Sequence, residues 1–394
     1  MEVKRGYKQT EVGVIPEDWG VQQLGELKPF VTSGSRGWAS YYSERGDLFV
    51  RITNLTRESI YLDLTDSRFV RLPEGDSEGI RTQLKENDVL ISITADIGII
   101  GYVDARVPTP AYINQHIALL RFDPAKVNSK FVSYFLASEE SQKVFRAATD
   151  TGAKAGMSLN GVQKIQTALP PTTDEQHAIA TALSDMDALL DGLDRLIAKK
   201  RAIKQAAMQQ LLTGQTRLPG FSGEWKIRRL EDALAIKHGK SQKDVEANDG
   251  AYPILATGGQ IGLASQPIYG KPSVLIGRKG TINQPQYMDK PFWSVDTLFY
   301  SEMKNGNIAK FFYYRFCLID WMQYNEASGV PSLNARTIEG IECARPDPEE
   351  QAAIAEVLSD VDTEITALET RRTKTRALKQ AMMQELLTGR TRLV

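Results

Sequence analysis

The sequence predicts an α+β protein in which two globular domains lie at opposite ends of a pair of long antiparallel coiled-coil helices. Three features of its 394 residues lead to this fold class. One segment occurs twice, both copies carry a heptad pattern of apolar residues, and in both copies acidic residues precede basic ones. The duplication implies that the two halves are related by a pseudo-two-fold axis.

The duplicated segment divides the chain into two repeats. KQAAMQQLLTGQTRL at 204–218 returns as KQAMMQELLTGRTRL at 379–393, and over 175–218, 25 of 44 positions are identical at a spacing of 175 residues. A weaker match relates QTEVGVIPEDW at 9–19 to QTRLPGFSGEW at 215–225, so we expect the start of the chain to continue the second copy. The predicted parts are an N-terminal segment, 1–20, a first globular domain, 21–171, a central long helix, 172–214, a second globular domain, 215–345, and a distal long helix, 346–394.

Each copy predicts one long helix. Asp347 and Pro348 suit the N-cap and first helical positions, and residues 172–175 form a capping box at the start of the other copy. Both copies end in Thr-Gly, at 213–214 and 388–389, where glycine suits the left-handed residue that follows a helix. About 40 residues at 1.5 Å per residue make a rod of roughly 60 Å.

Apolar residues step by four and three positions along both predicted helices. This spacing matches the a and d positions of a coiled coil, and a narrow stripe in both copies favours packing of one helix on the other. The competing interpretation is that each stripe packs on its own globular domain. The predicted seam residues are Ile179, Leu183, Met186, Leu190, Leu193 and Ile197 in the first copy and Ile354, Leu358, Val361, Ile365 and Leu368 in the second.

Charge changes sign along each predicted helix. The charged residues of 175–194 are all acidic and those of 195–204 all basic, and 350–369 and 371–379 repeat the change. Parallel helices would place like charges together, whereas antiparallel helices match acids with bases along the seam. The alternative is that each helix complements only its own dipole, an effect that fades beyond the terminal turns. The length of the polarity therefore favours the antiparallel pair.

The two variable blocks predict domains of one fold with divergent loops. Short apolar strands at 84–103 have counterparts at 271–288, and those at 111–122 have counterparts at 291–302. An aromatic helix follows in each block, at 130–138 and at 309–320. A shared scaffold with variable loops is typical of recognition domains that differ in specificity.

Composition and motifs exclude several classes of protein. The net charge of −1 excludes a uniformly basic surface, so any DNA contact must come from local patches. No apolar run is long enough to span a membrane, the N-terminus lacks a signal-peptide core, and Cys317 and Cys343 lack metal-site spacing, so we expect a cytoplasmic protein. There is no Walker A motif, no GxGxxG after a predicted strand, and no Asp/Asn-Pro-Pro-aromatic tetrapeptide. We therefore predict no catalytic residue, metal site or cofactor site in this chain.

Polar and basic residues in the loops of both blocks are candidate DNA contacts. Arginine and lysine bond guanine in the major groove, asparagine and glutamine suit adenine, and lysine also binds phosphates. The competing interpretation of each is a solvated turn residue. The candidates are Ser35, Arg36, Arg51, Asn54 and Lys154 in the first block and Lys237, Lys240, Lys243, Arg278, Lys279, Asn283 and Gln284 in the second.

The sequence resembles the specificity subunit of type I restriction–modification systems. The resemblance rests on the stretch 170–214, which begins PPTTDEQHAIATALSDMDALL, its repeat at 346–389, VGVIPEDWGVQQLGEL at 12–27, and the pattern VLIGRKGT…FWSVDTLFY at 274–300. It implies two target recognition domains that read a bipartite double-stranded DNA sequence, with the helix pair as spacer. It also implies two modification subunits, which bind S-adenosylmethionine and methylate adenine, and restriction subunits that use ATP and Mg²⁺.

Two other functions remain open at this point. One is a single-chain nuclease or methyltransferase, which the missing motifs disfavour. The other is a structural coiled-coil protein whose globular blocks bind other proteins.

Overall fold

The computed structural model describes residues 4–73, 75–150 and 156–393, which form two compact units. Unit 1 contains Met1–Leu193 and Arg371–Val394, and unit 2 contains Asp194–Thr370. Each long helix therefore contributes one half to each unit. The two ends of the chain therefore belong to the same unit.

Unit 1 is built on two four-stranded sheets. The first has the order β4-β11-β8-β9 and is antiparallel throughout, and the second has the order β10-β6-β7-β5, with β10 parallel to β6. A hairpin of β1 and β2 and a pair of β3 with β12 complete the strands described in this unit. The strands are β1 Tyr7–Thr10, β2 Gly13–Pro16, β3 Gly20–Gln23, β4 Phe30–Ser33, β5 Tyr42–Ser43, β6 Asp47–Val50, β7 Arg68–Val70, β8 Val89–Ser92, β9 Ile100–Tyr102, β10 Ala111–Ile113, β11 Ile117–Arg121 and β12 Gln166–Leu169.

Unit 2 repeats this arrangement. Its first sheet has the order β14-β20-β17-β18, and its second has three strands, β16-β15-β19, with β15 parallel to β19. The counterparts predicted from the sequence are thus confirmed by strand order and direction. The strands are β13 Lys226–Arg229, β14 Leu234–His238, β15 Tyr252–Ala256, β16 Gly259–Ala264, β17 Ser273–Gly277, β18 Gln286–Met288, β19 Trp293–Ser294, β20 Leu298–Met303 and β21 Glu342–Arg345.

The helices also correspond between the units. Unit 1 contains α1 to α4, unit 2 contains α6 and α7, and α5 and α8 are the two long helices. The predicted aromatic helices are α2 and α6, and each packs on the first sheet of its unit. The helices are α1 Ser77–Thr82, α2 Ser129–Ala137, α3 Glu139–Asp150, α4 Leu159–Gln163, α5 Thr173–Leu212, α6 Ala309–Leu318, α7 Ala335–Glu339 and α8 Pro348–Leu386.

A glutamine near the start of each long helix holds the start of the aromatic helix in the same unit. In unit 1, the side-chain oxygen of Gln176 accepts a hydrogen bond from the backbone N–H of Asn128 at 2.8 Å. In unit 2, Gln351 accepts from the N–H of Ile308 at 3.0 Å. Because an N–H at a helix start has no partner within the helix, these bonds fix each globular domain to its long helix.

Within each unit the two long helices run in opposite directions. In unit 1, Lys379 Nζ lies 2.5 Å from Asp187, while Arg392, beyond the end of α8, pairs with Glu175 at the start of α5. Residue numbers therefore rise along one helix as they fall along the other. The antiparallel direction predicted from charge is confirmed in this unit.

Unit 2 shows the same pairing with the roles of the helices exchanged. Lys204 Nζ lies 2.6 Å from Asp362, Lys200 Nζ lies 2.5 Å from Glu364, and Arg217 pairs with Glu350. Bases of the second half of α5 thus face acids of the first half of α8, as the antiparallel arrangement requires.

The predicted seam residues face inward, and part of the seam joins the globular cores. Ile179 and Leu183 are buried in a core that contains both the domain of unit 1 and Leu386 and Leu387, at the end of α8 and directly after it. The competing interpretation was therefore partly right, since these positions pack on the domain as well as on the other helix. In the same way Ile354 and Leu358 share the core of unit 2 with Met208, Leu211 and Leu212. Of the other seam residues, Leu193, Ile197 and Ile365 are buried, and Met186, Leu190, Val361 and Leu368 are partly buried.

The N-terminal strands lie against the end of α8. The hydroxyl of Tyr7 donates to the carbonyl of Gly389 at 3.1 Å, and a Cβ on Gly389 would lie 2.4 Å from Pro16. In unit 2, a Cβ on Gly214, at the end of α5, would meet Trp225 at 3.2 Å. Residues near the start of the chain therefore lie beside the end of α8. In unit 2, the corresponding position beside the end of α5 is occupied by residues that follow α5 in the chain, as the weaker sequence match predicted.

Candidate nucleic-acid interface

Three loops and helix α1 form an open polar cleft of about 630 Å³ in unit 1. The loops follow β4, β8 and β10, and they bring small hydroxyl side chains together with one arginine, one glutamine and one histidine. The lining residues are Ser33, Gly34, Ser35, Arg36, Glu78, Thr94, Gln115 and His116.

Gly34 sets the close approach of two of these loops. A Cβ at this position would lie 2.1 Å from the carbonyl oxygen of Ile113, so only glycine fits. The loop beyond it is held by Arg81 of α1, which donates to the hydroxyl of Thr32, to the carbonyl of Ser33 at 2.7 Å and to the hydroxyl of Ser35 at 2.9 Å. The edge of the cleft is therefore fixed by backbone packing and by one guanidinium group.

A short hydrogen-bonded chain crosses the cleft. The hydroxyl of Thr94 lies 2.5 Å from Nδ1 of His116, and Nε2 of His116 lies 2.9 Å from Nε2 of Gln115. The backbone here is also fixed, because the carbonyl of His116 accepts from the N–H of Ile93 at 2.9 Å. The chain holds the amide of Gln115 in the cleft.

Unit 2 builds the corresponding edge with different side chains. A Cβ on Gly239 would lie 2.0 Å from the carbonyl oxygen of Val295, and the N–H of Arg278 donates to the carbonyl of Thr297 at 2.8 Å. The guanidinium of Arg278 donates to the backbone carbonyl of Asp296 at 3.2 Å. The backbone of these loops is therefore arranged as in unit 1, but their side chains are mainly charged.

The predicted candidates of unit 1 differ in their exposure and in their hydrogen-bond partners. Ser35 and Arg36 line the cleft. Arg51 pairs with Asp66 at 2.8 Å. Asn54 is 1% exposed, and its amide donates to the carbonyls of Asp63 at 2.8 Å and Asp66 at 3.2 Å. We correct the expectation for Asn54, because its hydrogen bonds stabilise its own loop and its side chain does not reach the surface.

One further candidate of this unit, Lys154, lies outside the described residues.

The candidates of unit 2 are mostly exposed. Lys240 follows β14 and is exposed, as is Lys243, while Arg278 is half-buried at the end of β17 beside exposed Lys279. Asn283 and Gln284 are exposed in the loop between β17 and β18. Lys237 differs, since it lies on strand β14 with its Nζ 3.7 Å from Glu302 of the neighbouring strand. Exposed cations therefore gather on the loops of this unit, where they suit phosphate contact.

Six lining residues of the unit 1 cleft are absent from the candidates predicted by sequence, and three of these six form the hydrogen-bonded chain across the cleft. Thr94, Gln115 and His116 lie in stretches whose apolar pattern predicts strands. A usable signal was the polar triplet 114–116, which interrupts an apolar run and aligns with 295–297 in the second block.

Metal-binding groups and cysteines are the other candidates for chemistry. In the described part of the chain, no group of three or more His, Cys, Asp or Glu side chains is arranged to hold a metal ion. Cys343 is buried in the core of unit 2, whereas Cys317 is exposed. No helix within the described ranges is long and apolar enough to cross a membrane.

The sequence profile of the type I restriction modification DNA specificity domain matches this chain twice, over residues 16–200 and 222–377. The chain belongs to this family. Each match covers one globular domain and a large part of the long helix that follows it. Specificity subunits of type I systems are targeting subunits that act with DNA and with other subunits, and they are not themselves catalytic.

Relatives of known sequence and structure agree with this assignment. The chain is 23% identical over 420 residues to a protein described as the MjaX type I restriction enzyme specificity subunit of Methanocaldococcus jannaschii, covering 99% of this chain and 97% of that protein. Its fold is similar to the crystal structure of the S subunit of a type I restriction–modification system from M. genitalium, with a TM-score of 0.65 at 15% identity over 98% of both chains. A second solved chain, from work on complex assembly and conformational transition of the type I system, gives a TM-score of 0.56 at 16% identity, covering 96% of this chain and 99% of that one.

Proposed function

We propose that this specificity subunit reads a bipartite DNA target, with the domain of unit 1 reading one half and the domain of unit 2 the other. The observation that carries the proposal is that two domains of one fold present corresponding loops with different side chains. The unit 1 cleft is lined by Arg36, Gln115 and hydroxyl groups, whereas the unit 2 loops carry Lys240, Arg278 and Lys279. Two different half-sites are the function that such a pair suits best.

The long helices are proposed to act as a coiled-coil spacer between the two readers. Helices of 40 and 39 residues are long enough, at 1.5 Å per residue, for readers about one to two DNA turns apart. The ion pairs repeated in both units support a defined alignment of the helices. A fixed distance between readers would in turn fix the spacing of the half-sites.

The same helices are proposed as docking sites for two modification subunits. Their near-identical sequences offer the same surface twice, which suits two identical partners. In this proposal the modification subunits bring S-adenosylmethionine and methylate adenine, and restriction subunits bring ATP-dependent translocation and Mg²⁺-dependent cleavage. The chain itself supplies the recognition of the target sequence and binds no cofactor.

Methylation mapping tests this function. The chain with its modification subunits should methylate adenines within one bipartite motif in a genome, and the modification subunits without it should not. The chain alone, given S-adenosylmethionine, ATP, Mg²⁺ and DNA, should neither methylate nor cut. Activity of the isolated chain would instead favour an enzyme, and binding without any sequence preference in the presence of modification subunits would favour a structural role.

Exchange of one reader tests the independence of the half-sites. Replacing residues 21–160 by the corresponding block of another specificity subunit should change one half-site and leave the other intact. A change in both halves would show that the readers do not act separately.

A further inference from the structure

We infer that Gln115 determines specificity in the half-site read by unit 1, where it recognises the major-groove edge of an adenine, and that His116 and Thr94 position it. The inference rests on the proposed function, because it assigns a base to one of the two proposed readers. It does not follow from the sequence candidates, which do not include these three residues.

The position of Gln115 meets the first requirement of base readout, which is a fixed side chain on an open edge. Gln115 lies in the loop of 114–116, between β10 and β11, and lines the cleft. The loop is closed by a bond from the N–H of Ile117 to the carbonyl of Asn114 at 3.3 Å and anchored by the bond from Ile93 to His116. A rigid backbone limits the entropy that the loop would lose on binding a base.

The hydrogen-bonded chain sets which groups of Gln115 face the cleft. In the neutral tautomer of His116 that carries its proton on Nδ1, this N–H donates to the hydroxyl oxygen of Thr94, and Nε2 accepts from the amide nitrogen of Gln115. This uses one of the two amide hydrogens. The side-chain oxygen of Gln115 and the second amide hydrogen remain for a ligand, as an acceptor and a donor on one planar group.

This pairing of groups matches adenine and not guanine. Adenine presents the N6 amino donor and the N7 acceptor in the major groove, whereas guanine presents two acceptors. A reversed amide, with its oxygen toward His116, would present two donors and suit guanine. The base found at this position therefore tests the orientation directly.

The corresponding residue of unit 2 supports a role in specificity. Ile117 pairs with Ser92 and Leu298 pairs with Gly277, so the residue two positions before each, Gln115 or Asp296, occupies the same place in the fold. The backbone bond from Leu298 to Val295, at 3.0 Å, repeats the one that closes the loop in unit 1. One scaffold position thus carries different hydrogen-bonding side chains in the two readers, as a residue that distinguishes bases would.

The test is the methylation motif of the reconstituted complex carrying single substitutions. Gln115→Ala should relax one adenine of the unit 1 half-site, lowering discrimination against the other bases there by about 10- to 100-fold. Thr94→Val should relax the preference for the same adenine. Thr94→Ser, which keeps the hydroxyl, should leave that preference intact. Gln22→Ala, an exposed glutamine on β3 away from the cleft, is the matched control and should leave the motif unchanged.

The outcomes separate this inference from the proposed function. A wild-type complex without any motif would refute the proposed function. A normal motif that Gln115→Ala leaves equally strict at every position, or a relaxed guanine in place of an adenine, would overturn the inference alone. If Gln115→Ala fails to fold, seen as loss of both half-sites, the near-isosteric Gln115→Glu decides. It replaces the donor by an acceptor and should weaken adenine in favour of cytosine, and retention of adenine would contradict the inference.

Discussion

At the scale of single residues, a buried lysine, aspartate and tyrosine join three helices in unit 1. Asp187 of α5 accepts from Lys379 of α8 at 2.5 Å and from the hydroxyl of Tyr134 of α2 at 2.6 Å. The lysine ammonium also lies 5.6 Å from the centre of the tyrosine ring. The charge pattern predicted the pairing of acid with base, but the tyrosine comes from a distant part of the chain and carried no sequence signal.

Unit 2 contains the same combination of lysine, aspartate and tyrosine, but there it is more exposed to solvent. Asp362 accepts from Lys204 at 2.6 Å and from Tyr314 at 2.7 Å. The side chain of Asp362 is 33% exposed, compared with 9% for that of Asp187. Since water screens a charge that loses its partner, the two groups should differ in what they contribute to stability although their geometry is the same.

Removing each aspartate measures this difference. Asp187→Ala leaves the ammonium of Lys379 buried without its carboxylate, and we expect a loss of about 3–5 kcal/mol in the free energy of unfolding. Asp362→Ala, the matched control in unit 2, should cost about 1 kcal/mol because water reaches the site. Hydrogen exchange of α2 and α6 as a function of urea concentration reports the two units separately. Equal losses in both units would contradict the role assigned to burial.

The tyrosine of unit 1 should also shape the response to alkaline pH. Burial, and then the neighbouring charge of Asp187, raise the pKa of Tyr134 far above its usual range. An unfolded tyrosine ionises near pH 10 while the folded one stays protonated, so this stabilising contribution is complete below about pH 10 and is lost at about 1.4 kcal/mol per pH unit above it. Tyr134→Phe should therefore be less stable than the parent at about pH 8, with the gap narrowing by roughly that slope between about pH 10 and pH 11. A gap that stays constant in urea unfolding over this range would show that the folded tyrosine ionises normally.

At the scale of elements, the long helices were predicted closely, whereas several short elements of unit 1 were not. Expected at 172–214 and 346–394, the helices are observed at Thr173–Leu212 and Pro348–Leu386. The agreement is close because capping residues and terminal glycines act locally. Strands β5 and β7 and helix α1 were missed, since they are only two to six residues long, and β5 and α1 also lack counterparts among the described elements of unit 2. Short strands depend on pairing with distant partners, which local sequence does not encode.

The candidate site divides in the same way. Ser35 and Arg36, which line the cleft, could be proposed because polar residues beside glycine predict an exposed loop. The prediction for Asn54 was wrong because asparagine forms hydrogen bonds with its own loop as readily as with a ligand. The cleft depends on three loops that are brought together only by the order of the strands. The polar triplet 114–116 could therefore mark a break between strands, but it could not show that Gln115 lines a cleft.

Packing of β4 against the β10–β11 loop should be sensitive to one methyl group. In Gly34→Ala, the Cβ would lie 2.1 Å from the carbonyl oxygen of Ile113, and backbone must move to accommodate it. We expect a loss of about 1–3 kcal/mol in the stability of unit 1, and weaker recognition of its half-site because the loop of Gln115 shifts. Urea unfolding and the methylation motif provide the two measurements. Gly20→Ala, where a Cβ meets nothing within 4 Å, should change neither, and a neutral Gly34→Ala would show that the loops separate freely.

At the scale of the whole molecule, the fold of the first reader depends on the last residues of the chain. Leu386 and Leu387 are buried in the core of unit 1, and Arg392 bonds both Glu175 and Asp18. Its hydrogen bonds to Glu175 and then to Asp18 raise the pKa of Arg392, so this contact remains charged under all working conditions. The duplication predicted this closure, because residue 392 matches Arg217, which makes the equivalent contact in unit 2 with Glu350.

Truncation distinguishes this arrangement from a linear series of domains. A chain ending at residue 370 keeps all of unit 2 but removes Leu386, Leu387 and Lys379 from unit 1. Each buried leucine contributes about 2–5 kcal/mol, and Asp187 would lose its lysine partner, so the loss approaches the roughly 5–15 kcal/mol that stabilises a typical domain.

The expected result is that truncation at the C-terminus unfolds the N-terminal reader. Hydrogen exchange should show lost protection in β8, β11 and α2, while β17, β20 and α6 stay protected. Removal of residues 393–394 alone is the control and should have no effect, since the side chain of Leu393 is 42% exposed. If protection were lost in unit 2 and kept in unit 1, stability would follow sequence neighbours, and the closure of unit 1 by Arg371–Val394 would be wrong. The predicted pattern would instead show that a segment more than 200 residues away in sequence completes the first reader.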